Sequence, residues 1–150
     1  MTRDVLISIS GVQIAEDDNH GVEMITAGDY FLKNGNHYIL YDEIEEGVEG
    51  TIKNTIKVRP SGLDIIKHGR SSVHMTFEKE KRNVSCYVTP YGELMIGINT
   101  KDIQIEEEED SLKVRVAYSL DINYQHISEC NIALDIHSRA NADIRLLNQS

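Results

Sequence analysis

Proline, tryptophan and cysteine are scarce in this chain of 150 residues, which has two Pro, no Trp and two Cys. With so few prolines, nearly every backbone N–H can donate, and long β-ladders would meet few residues that cannot. Cys86 and Cys130 are too few for a disulfide framework and lack the paired spacing of a zinc site. Each stands among apolar alternates, Val84 and Val88 for the first, Ile132 and Leu134 for the second. That setting predicts two buried free thiols. Long apolar runs are missing too. Val5-Leu6-Ile7 is broken at once by Ser8 and Ser10, so neither a secretory leader nor a membrane-spanning helix is expected, and a cytoplasmic location is. Positive charge is the last shortage: 15 Lys and Arg against 25 Asp and Glu leave a net charge of −10. Such a balance argues against general binding of nucleic acid or of anionic membranes.

The remaining composition, 40% hydrophobic and 27% charged, is that of an ordinary globular protein. The length fits one domain, read here as residues 1–137 with a tail at 138–150. The tail lacks alternation, which leaves a short helix, an extra strand or disorder open.

Elsewhere the repeating signal is period two, the mark of a strand with one buried face. Its clearest instance sets Leu112, Val114, Val116, Tyr118, Leu120, Ile122 and Tyr124 on one face. Lys113, Arg115, Ala117, Ser119, Asp121 and Asn123 occupy the other. Asn34-Gly35 predicts a type I′ hairpin turn, since both residues tolerate positive φ. Pro90-Tyr91-Gly92 predicts a three-residue loop. Its register would pair Val88 with Leu94, Cys86 with Ile96 and Val84 with Ile98, apolar against apolar. A three-residue loop at Gly69-Arg70-Ser71 would bring Leu63 and Ile65 to the face of Val73, Met75 and Phe77.

Ten strands result, at about 4–14, 22–33, 36–44, 50–59, 62–68, 72–79, 83–89, 93–105, 111–124 and 129–137. Short connections make neighbours in sequence neighbours in space. The expected fold is all-β: an antiparallel up-and-down meander closed into a barrel of about 8–10 strands, because closure removes exposed edges.

An ordered set of short strings supports a family resemblance. It comprises Tyr38-Ile39-Leu40-Tyr41-Asp42-Glu43, Gly50-Thr51, Asn54-Thr55-Ile56-Lys57, Arg70, Met75-Thr76-Phe77, Tyr87-Val88-Thr89-Pro90-Tyr91-Gly92 and Thr100. In order and spacing it resembles the YwiB-like family of bacterial proteins of unknown function. The resemblance spans roughly Val5 to Ile136. It implies a calycin-like barrel related in shape to the lipocalins, and no activity, cofactor or site residue comes with it.

No glycine-rich phosphate loop, nucleophile elbow or Cys-x-x-Cys is present, so no catalytic residue, metal or cofactor is assigned. His68 and His74 flank one hairpin, yet surface histidines on strands are far commoner than a metal pair. The best internal polar set is Tyr41, Glu43, Asn54 and Tyr118, which alternation can turn inward as a small-ligand site. The opposite face of the same strand, Tyr38, Leu40 and Ile44, is equally apolar and would put Glu43 outside.

Between Thr51 and Arg82 stand eight Lys and Arg against three acids, a local charge of +5 on a chain whose remainder is −15. Lys53, Lys57 and Arg59 alternate with Ile52, Ile56 and Val58, and this outward row is a candidate surface for an acidic protein partner. Two readings stay open: a barrel that binds a small molecule, and an interaction domain using its exterior as a monomer or weak homodimer. An enzyme ranks third.

Overall fold

The computed structural model describes residues 1–12, 24–44, 50–68, 72–89 and 92–139. Ten antiparallel strands follow one another: β1 (Asp4–Ser10), β2 (Met24–Lys33), β3 (Asn36–Ile44), β4 (Thr51–Arg59) and β5 (Gly62–His68), then β6 (Val73–Glu78), β7 (Arg82–Thr89), β8 (Gly92–Glu107), β9 (Ser111–Ile122) and β10 (Gln125–Ser138). They form one sheet in the order β6-β5-β4-β3-β2-β1-β10-β9-β8-β7. Each strand pairs with its chain neighbour except β6 with β7, and β1 pairs with β10. β6 and β7 are joined by a short turn, without a ladder between them. The Ser85 hydroxyl of β7 reaches across to the His74 carbonyl of β6 at 2.5 Å. The sheet is thus a nearly closed barrel with one seam.

Alternation fills its inside. Val5 and Ile7, Ile39, Ile56, Leu63 and Ile65, Met75 and Phe77, Ile96 and Ile98, the even residues from Leu112 to Leu120, and Ile132 to Ile136 by twos are all buried. Such side chains leave little room for a ligand in the lumen. Asn34 and Gly35 have φ of 54° and 79°, the type I′ turn their chemistry predicts. Leu63 pairs with Phe77 and Ile65 with Met75, also as read from sequence.

Two bulges keep the inner face in phase. One between Thr100 and Asp102 turns Ile103 and Ile105 inward, and one between His126 and Ser128 does the same for Cys130 and Ile132.

The β7–β8 register differs from the expectation. Cys86 pairs with Met95, Val88 with Glu93 and Val84 with Gly97, one residue off the three-residue-loop register. Val84 (43%) and Val88 (58%) are therefore exposed, and so is Cys86, while Cys130 is buried as predicted. Pairing apolar with apolar failed as a guide because β7 borders the seam. Its inward residues Asn83, Ser85 and Tyr87 are only half-buried, so an apolar-in pattern is not enforced there.

The end of β9 differs as well. Asn123 (φ 51°) and Tyr124 (φ 68°) form a tight turn, which puts Tyr124 on the surface instead of the inner face and starts β10 at Gln125. The predicted connections Glu16–Gly21 and Gly69–Ser71, most of Glu45–Gly50, Pro90 and Tyr91, and the tail from 140 lie outside the described residues. Among those described, no helix is long and apolar enough to cross a membrane.

Candidate functional site

The ladder between β2 and β3 runs only from the Asn34-Gly35 turn to the pair Asp29–Leu40. Beyond it β2 follows β1, through Gly28 opposite Val5, and β3 follows β4, through Tyr41 opposite Asn54. The wall splits there. A Cβ on Gly28 would come within 2.5 Å of the Ile7 side chain and 2.7 Å of the Leu40 carbonyl, so only glycine lets β3 approach this closely.

An open cavity of about 570 Å³ occupies the split. Outward residues of β1 to β5 line it, Asp4, Asp29, Asp42, Lys53 and His68 among them, together with Arg139. At the break it reaches Tyr41 and Asn54, which belong to the inner face.

Tyr41, Glu43 and Asn54 come together as the sequence pattern allows. Tyr41 and Asn54 are direct cross-strand partners, and Glu43 follows on the same face, opposite Ile52. Ile44, on the other face, is 85% exposed, which decides that Glu43 points inward. Glu43 accepts from Lys67 Nζ at 3.2 Å. Burial, and after it the charge of Glu43, push the Tyr41 hydroxyl well above the usual tyrosine value. Asn54 is 1% exposed. Its Nδ2 donates to the Ile52 carbonyl at 3.3 Å, while its Oδ1 has no hydrogen-bond partner among the described residues.

Tyr118 lies elsewhere. Its ring packs edge-on against Phe77 with centroids 5.0 Å apart, and its hydroxyl donates to the Gly11 carbonyl at 3.5 Å. The four-residue set is therefore a trio with Lys67 added. Lys67 was within reach of sequence reasoning, because a two-residue turn at Pro60-Ser61 places it opposite Asn54.

Lys53, Lys57 and Arg59 do share the outer face of β4, and each is engaged there. Arg59 Nε donates to Asp64 at 2.8 Å and its guanidinium lies 3.8 Å from Glu78. Lys57 sits over the Tyr38 ring at 5.5 Å, and Lys53 is 3.9 Å from Asp42. His74 bonds Asp64 at 3.2 Å, and His68 lines the cavity. Among the described residues no three His, Cys, Asp or Glu side chains gather as a metal-binding group.

A second polar group was missed by the sequence reading. The Tyr30 hydroxyl bonds His37 Nδ1 at 2.6 Å, and His37 Nε2 meets the Glu107 carboxylate. The Asn34-Gly35 turn places Tyr30 and His37 diagonally on one face, which was legible. Glu107 arrives from β8 on the other side of the barrel end, which no local pattern reports. Burial, and then the Glu107 charge, raise the Tyr30 pKa above the usual tyrosine value.

The chain is 24% identical over 139 residues to the uncharacterised β-barrel protein YwiB of Bacillus subtilis (strain 168), covering 90% of this chain and 96% of that protein. The crystal structure of the ywiB protein from Bacillus subtilis superposes with a TM-score of 0.72 at 23% identity, over 91% of this chain and 92% of that one. That likeness establishes the barrel and leaves the activity open. The model of the domain of unknown function DUF1934 matches residues 7–134. The chain is a member of the DUF1934 family.

Proposed function

We propose that this protein is a small-molecule-binding barrel of the cytoplasm whose site is the cleft in its wall between β2 and β3. A calycin-like relationship fits this reading, with one change: the ligand enters the broken wall and not the lumen, which side chains fill. The observation that carries it is the buried Asn54 Oδ1, left without a partner beside an open cavity. A buried polar atom costs stability when unmatched, and binding sites are where such costs are tolerated. The volume lies in the range of small-ligand pockets. The outer basic row fits a partner less well, since Arg59 is already paired with Asp64 and Glu78, Lys53 stands near Asp42 and Lys57 sits over the Tyr38 ring.

Native mass spectrometry of wild type and Asn54→Leu, purified from the natural host, tests the reading. A bound small molecule on wild type that is lost from a folded Asn54→Leu variant supports it. Equal spectra, with the variant more stable, would mean that Asn54 is only an unmatched core amide.

A further inference from the structure

We propose that the outer face of the β7–β8 hairpin is a contact surface for a second copy of this chain, in a weak two-fold dimer. The face lies across the barrel from the cleft, three strands away in either direction. Register assembles it. The outward residues of β7 are Arg82, Val84, Cys86 and Val88, and opposite them on β8 stand Asn99, Gly97, Met95 and Glu93. Val84, Cys86, Val88 and Met95 are all exposed, and Tyr124, 76% exposed, lies beside them with the Arg82 guanidinium 5.5 Å from its ring. The middle of the face carries no free charge. Gly97 has no side chain, and the Arg82–Asp121 pair fills the place of its Cβ, with Asn99 donating to the second Asp121 oxygen at 3.2 Å. A contiguous exposed apolar row on a chain of net charge −10 marks a contact surface.

Symmetry and charge select a second copy as the occupant. Val84 and Val88 flank Cys86 at equal spacing along β7. A two-fold axis crossing the strands at Cys86 and Met95 lays the two outer faces together with their strands antiparallel. Val84 of each copy then meets Val88 of the other, while Cys86 and Met95 meet their own equivalents, apolar against apolar throughout. The charges agree with the same axis. Glu93 stands opposite Val88, at the level that the rotation brings onto Val84 and Gly97 of the other copy. There the Arg82 guanidinium lies over Gly97, so each Glu93 carboxylate lands on an arginine of opposite sign. Five apolar side chains a copy cover less than the roughly 800 Å² per partner of stable complexes, so the association is weak.

Sedimentation velocity of the full chain, from micromolar to millimolar concentration, tests the proposal. The sedimentation coefficient should climb toward that of a dimer at the upper end. Val88→Asp should weaken association about tenfold or more, as removal of a central apolar contact does. Glu93→Arg makes the net charge less negative, so it would strengthen any association limited by overall repulsion; here it should weaken association several-fold. The reaction of Cys86 with Ellman's reagent should slow as wild-type concentration rises and stay constant in Val88→Asp, with Cys130 protected in both as the check on folding. A wild-type sedimentation coefficient that is constant over the whole range would overturn the proposal. So would association that both substitutions leave unchanged, since the copies would then meet elsewhere.

Discussion

Tyr41 shows how much one residue reports about its surroundings. Its hydroxyl is buried beside the Glu43 charge, and both raise its pKa, burial more than charge. The unfolded chain releases that proton near the ordinary value of about 10, while the folded chain keeps it. The unfolded state then binds fewer protons than the native one, so stability is intact below that pH and falls as pH rises beyond it. Tyr41→Phe removes the group that titrates. Urea unfolding followed into the alkaline range should show a shallower loss in the variant, with Tyr30 still contributing in both. Parallel losses would place the Tyr41 hydroxyl in water. Gly28 makes a second residue-scale case. Gly28→Val forces a side chain against Ile7 and the Leu40 carbonyl and should cost about 1–3 kcal/mol in urea unfolding, as overpacking does. A neutral result would mean that the wall at the split is free to move apart.

Among the elements, β9 was legible in full up to Ile122, because both its faces have a settled environment: core on one side, Arg115–Asp135 and water on the other. β7 was not, and the reason is physical. Periodicity reports a face only where one side is dry, and β7 borders a seam where neither side is. The resulting phase error moved Val84, Cys86 and Val88 across the sheet together, since a slip of one residue inverts every side chain. Of the candidate site, Tyr41, Asn54 and Glu43 could be read from alternation along β3 and β4. The split in the wall could not, because where two paired strands part depends on the curvature of the whole sheet. Thiol chemistry checks the β7 register directly. Cys86 on the outer row should react with Ellman's reagent in the native protein, while Cys130 should wait for unfolding. Desolvation by its neighbours and then Glu93 hold the Cys86 thiol above its ordinary pKa, so the reaction should be slower than with free cysteine. One fast thiol and one protected thiol are expected; two protected thiols would restore the three-residue loop.

Taken as a whole, the molecule is a barrel with two unequal halves of one problem, an end to tie and a seam to hold. The end is tied by Tyr30–His37–Glu107, which joins the β2–β3 hairpin to the far side through β8. The seam is held where the Ser85 hydroxyl stands in for a missing ladder bond to His74. Strands with neighbours on both sides, such as β9 and β10, can release their amides only when much of the barrel opens. The edges of β6 and β7 need no such event, so native-state hydrogen exchange should rank them fastest among the strands. Ser85→Ala sharpens the test. It removes one hydrogen bond of about 1 kcal/mol at a half-buried position, equivalent to about fivefold faster local opening. Exchange should therefore quicken in residues 73–78 and 82–88, with β9 and β10 unchanged. Acceleration spread evenly over all ten strands would mean that the seam opens only with the whole barrel, and that closure is carried by the core packed across it and not by the contact at its edge.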